Sequence, residues 1–449
     1  MLNVGWASRD LTPARPVLLM GQMHARVAHT ALDPITVTAL AVEDVVLVSC
    51  DVVAISEGLR QATLDILRRL QPQISASKVI LAATHTHDSL VFDEGFYTHP
   101  GGEVMTAAEC TAFAAGIVAE AIAAAWQART PSPVARAFGH AVVGHNRYAV
   151  YADDSGAMYG KTNRPDFRHF GGYEDHGVDM LFTWDGQGRL AGVLLAIPCP
   201  SQVDEHLSQL SADYWHEVRL ELRRRLGPQV QVLGWCAPAG DQSPHFLLYG
   251  QQEAEMRRRR GVSERQEIAQ RVADAVERAL VCTPPDTGTP VFRHVTRLLH
   301  LTPFAVSARD IPWAQARYDE WVAANKETVS WWPTRLQQVI DTAQGRRRPE
   351  PVATRIHVLR LGDLGIATNP FELFLDYGLR LKARSPAGQT LLAQLADGCG
   401  WYLPSERAVR AGSYGAAPVV CPVGPEGGGE LVEETLSILE ELFSDQKQE

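Results

Sequence analysis

Two histidines separated by one residue, His85 and His87, follow the apolar run Val79–Ala83. The run predicts a buried strand that ends where these polar residues begin. Because residues i and i+2 of a strand point to the same face, both imidazoles would project into the cleft above the sheet. Two neutral imidazoles in this arrangement are a common start for a zinc or iron site. The alternative is a pair of hydrogen-bonded polar residues that closes a strand.

Four further polar clusters fall at the ends of predicted strands, where α/β proteins place their sites. They are residues 144–147, residues 198–202 continuing to His206, residues 240–245, and residues 369–372 followed by Trp401, Tyr402, Ser413 and Tyr414. Each cluster alone is a weak signal, because Pro and Gly around polar residues mostly mark turns. Several clusters, each placed after a strand, together indicate a functional site.

Length, composition and charge limit the class of protein. A chain of 449 residues is expected to form one large elaborated domain or two domains. The net charge of −10 argues against a nucleic-acid-binding protein. No run of 18 apolar residues is present, so we expect no membrane span. The seven cysteines include no Cys-x-x-Cys pair and no signal peptide is apparent, which predicts a reduced, cytoplasmic protein.

Strands and helices alternate in the predicted secondary structure. Residues 35–42 and 45–53 predict a hairpin, as do residues 178–184 and 190–197. Residues 58–70, 106–127, 251–280 and 371–383 predict helices. We find no internal repeat and no low-complexity linker. One continuous α/β unit, with mixed β-sheets flanked by helices, is therefore the predicted fold class.

These motifs together resemble the catalytic domain of the neutral/alkaline (non-lysosomal) ceramidase family. Ala83-Thr84-His85-Thr86-His87 matches the family's Ala-Thr-His-Thr-His signature, although Asp88 follows where Ser-Gly is usual. Residues 9–13 are similar to its Asp-Ile-Thr-Pro start, residues 46–51 to its second strand, and residues 240–244 to its Gly-Asp-Val-Ser-Pro loop. Asn146-Arg147 matches an Asn-Arg pair, and Gly21-Gln22 occupies a substrate turn. The order and rough spacing agree over nearly the whole chain.

The resemblance implies a role for each matching residue. His85, Glu372 and Tyr402 would bind one zinc ion, and Tyr414 would replace Tyr402 if the local match is shifted. His87 and Arg147 would contact the substrate or a developing oxyanion. Ser243 would be the nucleophile or a transition-state partner, oriented by Asp241 or His245. The remaining substrate-binding residues would be Gly21, Gln22, Asn146, His206, His245 and Tyr414.

Two departures from the family pattern bear on function. Pro198 stands where the family has its second zinc histidine, in the run Leu195-Ala-Ile-Pro-Cys-Pro-Ser201. The Cys199 thiolate could ligate zinc instead, with His206 and His87 as further replacements. The resemblance also implies a single catalytic domain over residues 1–449, without the β-sandwich domain that follows it in ceramidases.

The leading hypothesis is a zinc-dependent hydrolase of an amide or ester bond in a small polar molecule. The polar loop 159–176 suggests such a substrate, for instance a sugar derivative, although it could equally be a solvated surface loop. A metal-free binding or regulatory protein on the same scaffold and a true ceramidase remain alternatives. An amidohydrolase barrel, which also uses His-x-His on a strand, is a third. We expect a small-molecule substrate and leave the oligomeric state open.

Overall fold

Strands and helices alternate along the chain, as the sequence pattern predicts. The computed structural model describes residues 1–324 and 331–444. In chain order the strands are β1 (Leu2–Asp10), β2 (Val17–Leu19), β3 (Arg26–Ala28), β4 (Thr36–Val42), β5 (Val45–Cys50), β6 (Val79–Ala83), β7 (Thr130–Ser132), β8 (Val134–His140), β9 (His145–Asn146), β10 (Tyr148–Tyr151), β11 (Gly156–Met158), β12 (Phe167–Phe170), β13 (Gly177–Trp184), β14 (Leu190–Ile197), β15 (Gln231–Cys236), β16 (Gln242–Ser243), β17 (Phe292–Leu301), β18 (Val352–Leu361), β19 (Leu364–Thr368), β20 (Glu372–Leu373), β21 (Gln389–Ala393) and β22 (Tyr402–Leu403). The helices are α1 (Glu57–Leu70), α2 (Ala107–Gln127), α3 (Tyr214–Leu226), α4 (Gly250–Arg260), α5 (Glu264–Val281), α6 (Ile311–Ala323), α7 (Trp331–Ala343), α8 (Leu375–Arg384), α9 (Glu406–Ala411) and α10 (Pro425–Leu442).

Three sheets share one construction, an antiparallel hairpin extended by a parallel strand. The strand orders are β6-β5-β4-β1-β7 in sheet 1, β15-β14-β13-β8 in sheet 2 and β17-β18-β19-β21 in sheet 3. The hairpins are β4/β5, β13/β14 and β18/β19, and the parallel additions are β6, β15 and β21. Both hairpins predicted from the sequence are confirmed. The amidohydrolase-barrel alternative is wrong, because the strands form open mixed sheets with antiparallel neighbours.

A shared apolar core joins the three sheets. It contains Leu40 and Ile80 of sheet 1, Leu194 of sheet 2, and Ile366 and Leu391 of sheet 3, all buried. Helices cover the outer faces: α1 and α2 pack together beside sheet 1, α3 and α5 beside sheet 2, and α10 beside sheet 3. The ends of the sheets are therefore held in fixed relative positions, and loops from different sheets can meet at one site.

Two predicted helices differ in their boundaries. The helix predicted over 251–280 is two helices, because Gly261 adopts a left-handed conformation (φ 66°) and Ser263 caps α5 through a capping box with Gln266. The helix predicted over 371–383 begins only at Leu375, since Glu372 belongs to β20. Glu372 therefore projects from a strand and not from a helix start.

Helix α2 is long and apolar enough to cross a membrane by length and composition. Half of its most apolar stretch is buried inside the fold, where the helix packs against α1 and β1. A helix of this kind is equally typical of the core of a globular protein.

A buried ion pair ties sheet 1 to α3. Arg219 donates through both terminal nitrogens to Asp51, over 2.7 and 2.9 Å, and both side chains are almost fully buried. Asp51 also accepts a hydrogen bond from Thr84, the residue before His85, over 3.2 Å. The pair therefore supports the turn that carries the histidines.

We expect Arg219→Leu to destabilise the protein by about 3–5 kcal/mol, because it leaves the Asp51 carboxylate buried without its partner. Urea unfolding followed by circular dichroism measures this change. The exposed Arg189, which pairs with Asp185 over 2.8 Å, is a matched control, and Arg189→Leu should cost less than about 1 kcal/mol. Equal, small effects of the two substitutions would contradict a structural role for the buried pair.

Candidate active site

Most of the predicted site residues line one cavity of about 330 Å³. They come from the loop between β2 and β3, from the loops that follow β6 and β14, from the turn between β9 and β10, from the short strands β20 and β22, and from the segment after α9. The predicted residues that line it are Gly21, Gln22, His85, His87, Arg147, His206, Glu372, Tyr402 and Tyr414. Asn146, Cys199, Asp241, Ser243 and His245 are absent from the lining.

His85 is fixed by the backbone of the neighbouring loop. Its Nδ1 lies 2.7 Å from the carbonyl oxygen of Val53, which can only accept a hydrogen bond. Nδ1 therefore carries a proton, and Nε2 faces the Glu372 carboxylate at 3.3 Å, where it can donate a hydrogen bond in the imidazolium form or offer its lone pair to a metal ion in the neutral form. His85 itself has a left-handed backbone conformation, with φ of 64°. Such a conformation costs an L-residue about 1–2 kcal/mol and is maintained only by the surrounding contacts.

The side chains of His85 and His87 lie next to each other, but an extended strand is not what brings them together. Strand β6 ends at Ala83, and the left-handed turn at His85 breaks the extended backbone on which the prediction depended. The two rings lie 5.0 Å apart, edge to face. The predicted proximity is therefore confirmed, whereas the predicted reason for it is wrong.

Glu372 and Tyr402 are neighbours because their short strands are paired. Strands β20 and β22 run parallel with Glu372 opposite Tyr402, which places the two side chains on one face. Burial raises the pKa of Glu372, but the charge of His85 and hydrogen bonds with His85 and Tyr402 outweigh burial and hold that pKa below its ordinary value. Burial raises the pKa of Tyr402 well above that of a free phenol. The strand pair thus presents a carboxylate beside a phenol.

Arg147 is a buried cation beside this pair. One terminal nitrogen donates to the Gly240 carbonyl over 2.8 Å and to the Tyr402 hydroxyl over 3.2 Å. The other donates to the Tyr159 hydroxyl over 3.3 Å. Its side chain is 3% exposed, so its charge acts on the cavity at low effective dielectric.

Both ring nitrogens of His87 face side chains of the loop that follows β14. Nε2 lies 2.6 Å from the Gln202 side-chain amide, and Nδ1 lies 3.2 Å from the Glu205 carboxylate. Burial lowers the pKa of His87, although Glu205 counteracts this effect. Gly21 packs on the ring so closely that a Cβ there would lie 2.4 Å from it. His87 is therefore held in place, with Nε2 occupied by Gln202 and Nδ1 facing Glu205.

Arg26 explains the unusual Asp88 after the histidine pair. Its buried guanidinium donates to the Asp88 carboxylate over 2.8 Å, to the Met20 carbonyl over 3.0 Å and to the His87 carbonyl over 2.5 Å. It also donates to the carbonyl of Leu207. One side chain thus joins three loops that contribute to the cavity wall.

Ser243 is separated from the cavity by a tyrosine. Ser243 is fully buried, and its hydroxyl accepts hydrogen bonds from the Tyr159 hydroxyl over 3.2 Å and from the His245 backbone N–H over 3.1 Å. Tyr159 lines the cavity, and its hydroxyl lies between the cavity and the Ser243 hydroxyl, which the resemblance implies as the reacting group. The predicted orientation of Ser243 by the His245 ring is wrong, because that ring faces Glu205 at 3.4 Å.

Asp241 and Asn146 hold loops together. The Asp241 carboxylate accepts from the Asn146 amide over 3.0 Å and from the Leu375 N–H at the start of α8 over 2.9 Å. Burial raises the pKa of Asp241 to about 6. In the described part of the chain no hydrogen bond joins Asp241 to Ser243, so its predicted role in orienting the serine is not supported. Both residues instead fix the position of Arg147, whose N–H donates to the Asp241 carbonyl.

Cys199 does not reach the cavity, contrary to the prediction of a thiolate ligand. Its side chain belongs to the apolar core beside sheet 2, and its thiol donates to the Pro200 carbonyl over 3.4 Å. Burial raises the pKa of this thiol well above its ordinary value.

His85, Glu372 and Tyr402 are the set that fits a zinc ion. Ligand atoms about 2.0–2.1 Å from a tetrahedral zinc ion lie about 3.3 Å apart, and the His85 and Glu372 atoms have this spacing. Over residues 1–324 and 331–444 no group of three His, Cys, Asp or Glu side chains forms a metal site. The family resemblance implies the Tyr402 phenol as the third ligand, and the pairing of β20 with β22 places it beside Glu372.

Tyr414 presents a phenol with little competition from other groups. It lines the cavity beside Tyr402, with ring centroids 6.0 Å apart. The partner described for its hydroxyl is the sulfur of Met23 at 4.0 Å, a weak acceptor. This hydroxyl is therefore available to donate a hydrogen bond to a bound molecule.

The charged side chains of the 159–176 loop pair with one another outside the cavity. Arg164 stacks on Tyr151 at 3.9 Å and pairs with Asp166, and Glu174 lies 3.6 Å from His145 and 3.4 Å from His176. Tyr159 is the loop residue that lines the cavity. The loop charges therefore give no support to a polar substrate.

Among the residues that line the cavity, sequence reasoning did not single out Phe96, Glu205 and Trp331, and it named Tyr159 only as the start of the polar loop. Phe96, Trp331 and Trp401 form an aromatic cluster, with Phe96 and Trp331 centroids 5.3 Å apart and Trp331 and Trp401 centroids 4.8 Å apart. Their positions in the sequence carry no motif. Glu205 directly precedes the predicted His206, and this adjacency is the sequence signal for a carboxylate in the cavity.

Known structures share this fold. Neutral ceramidase from Pseudomonas aeruginosa superposes with a TM-score of 0.69 at 16% sequence identity, over 98% of this chain and 74% of that chain. A ceramidase complexed with C2 gives a TM-score of 0.67 at 14% identity, over 99% and 75% of the two chains. No protein-family model and no curated protein matches the sequence. The chain therefore has a neutral-ceramidase-like fold, as the sequence motifs predict.

Proposed function

We propose that the protein is a hydrolase that cleaves an amide or ester bond in a small molecule. The observation that carries the proposal is the convergence of His85, Glu372 and Tyr402 on one cavity, with Arg147 and Tyr414 beside them. These residues come from five separate segments of the chain. The ceramidases that share the fold support the same reaction class, because a ceramidase cleaves an amide bond.

A zinc ion held by His85, Glu372 and Tyr402 would polarise the scissile carbonyl and acidify water. The protein contributes the other interactions. The Tyr414 hydroxyl donates to the developing oxyanion, and the buried Arg147 charge stabilises it. Water adds its oxygen to the carbonyl carbon, the C–N or C–O bond breaks, and the products are a carboxylic acid and an amine or alcohol.

Water, and not Ser243, is the nucleophile in this proposal. Attack by Ser243 would require Tyr159 to leave its position, because the serine hydroxyl is buried behind the tyrosine hydroxyl. The His245 ring, which could serve as a base, pairs with Glu205 and does not contact the serine oxygen. Ser243 therefore supports Tyr159 and, through it, Arg147.

The cavity has a size suited to a small substrate. Ligand sites commonly measure about 300–1,000 Å³, and this cavity is at the lower end of that range. The aromatic cluster of Phe96, Trp331 and Trp401 would take an apolar acyl group, while the residues around His87 are polar. A true ceramidase is the alternative, since a second cleft of about 800 Å³ shares Met23, Met158 and Tyr414 with the cavity and could hold a longer chain.

A metal-free binding protein is the second alternative, and Pro198 motivates it. We expect about one zinc per chain after purification with zinc, and loss of that zinc in His85→Ala, because His85 supplies the nitrogen ligand. Elemental analysis by mass spectrometry measures both values. His140→Ala, at an exposed histidine outside the cavity, should retain the metal. Zinc-free wild-type protein would favour the binding protein, whereas equal zinc in both variants would show that the metal does not bind through His85.

Ser243→Ala should retain activity within about tenfold, because the serine does not face the cavity. Hydrolysis of a panel of N-acyl and O-acyl compounds measures this change. Mass spectrometry of the protein during turnover should detect no acylated chain. A loss of 10³-fold or more together with an acyl adduct on the wild type would establish Ser243 as the nucleophile and contradict the proposal.

Tyr414→Phe should lower kcat by about 10²–10³-fold, the usual cost of removing one oxyanion donor. Substrate binding and thermal stability should change little, since the hydroxyl has only Met23 as a weak partner. Tyr249→Phe, at an exposed tyrosine, is the control. Unchanged kcat in Tyr414→Phe would remove this residue from the mechanism.

A further inference from the structure

A second carboxylate, Glu205, lines the cavity and takes no part in the proposed chemistry. Its side chain is 12% exposed. Burial raises its pKa, but the neighbouring imidazoles of His245 and His87 outweigh burial and hold the pKa of Glu205 well below its ordinary value. Glu205 is therefore an ionised acceptor in a partly desolvated site.

The contacts of this carboxylate are long. His87 Nδ1 lies at 3.2 Å, His245 Nε2 at 3.4 Å, and the Gln22 side-chain nitrogen at 3.4 Å. Charge-assisted hydrogen bonds are usually about 2.7–2.9 Å long. The buried His87 Nδ1 has no well-aligned hydrogen-bond partner in the described structure, so its contact with Glu205 is electrostatic and not a good hydrogen bond. Glu205 thus retains the capacity for a short, strong hydrogen bond.

A bound molecule could supply that bond. A carboxylate has about four acceptor positions, and an apolar group placed against Glu205 would leave the charge desolvated without compensation. The aromatic cluster provides a separate surface for apolar atoms. The cavity therefore favours a substrate with two different parts. Its apolar atoms would contact the aromatic cluster, and its hydrogen-bond donor would contact Glu205.

We propose that Glu205 is a specificity residue that accepts a hydrogen bond from a hydroxyl or ammonium group on the amine or alcohol part of the substrate. This inference rests on the proposed hydrolase function and narrows its substrate class. The preferred substrates are amides or esters with an apolar acyl group and a leaving group that carries a hydrogen-bond donor.

Three isosteric substrates test the inference. They are the phenylacetyl amides of ethanolamine, ethylenediamine and propylamine, which end in a hydroxyl, an ammonium and a methyl group. The wild type should cleave at least one of the first two about 10- to 100-fold better, in kcat/KM, than the propylamide. Whichever donor is preferred identifies the group that Glu205 binds.

Glu205→Gln should reduce this preference to less than about threefold for the ammonium substrate and leave the propylamide nearly unaffected. A glutamine oxygen still accepts from a hydroxyl, so part of any hydroxyl preference should remain. The control is Asp204→Asn, at the adjacent carboxylate, which pairs with Arg265 at 3.6 Å and does not line the cavity. Circular dichroism melting should show that both variants are folded.

Calorimetric binding of the same three amides separates this inference from the proposed function. If no amide is cleaved but the donor-bearing amides bind more tightly and Glu205→Gln abolishes the difference, the inference holds and the hydrolase proposal fails. If amides are cleaved without discrimination, or if Glu205→Gln keeps the wild-type preference, Glu205 is not a specificity residue.

Discussion

The hydrogen bond between His85 Nδ1 and the Val53 carbonyl is the contact on which the site depends. It fixes the ring orientation and places a proton on Nδ1, so that Nε2 faces Glu372. The left-handed backbone at His85 makes this contact geometrically accessible, at an energetic cost that the buried loop around it offsets. The hydrogen bond from Thr84 to Asp51 and the buried Asp51–Arg219 ion pair stabilise the turn that contains His85. The Glu372 carboxylate, 3.3 Å from the fixed His85 Nε2, and that nitrogen together could provide two ligands of a metal site.

The rest of the cavity is assembled by contacts between loops of different sheets. The β20/β22 pair joins Glu372 to Tyr402, and Arg147 connects Tyr402 with Tyr159 and the Gly240 carbonyl. Arg26 joins the turn at Met20 to the histidine pair. Arg147 and Arg26 are buried, so their charges act at low effective dielectric and need fixed partners. This explains why Asn146 and Asp241, although outside the cavity lining, are needed to position it.

The sequence was sufficient for the fold class and for much of the site, because hairpins and His-x-His signals are local. The hairpins at Glu43 and at residues 185–189 follow from apolar runs around polar turns. Long-range placement was not predictable. The strand pairing of Glu372 with Tyr402, the position of Tyr159 in front of Ser243, and the core location of Cys199 all depend on tertiary contacts between distant segments. The aromatic cluster was missed for the same reason, since its members are far apart in the chain.

The central claim is that zinc binds through one imidazole, one carboxylate and one phenol, without a second histidine and without sulfur. X-ray absorption at the zinc edge tests it most directly in protein loaded with one equivalent of the metal. The account predicts nitrogen and oxygen scatterers at about 2.0–2.1 Å, with a single imidazole contribution that disappears in His85→Ala. A sulfur scatterer at about 2.3 Å, or two imidazoles, would contradict it, because the ligands would then lie elsewhere in the chain.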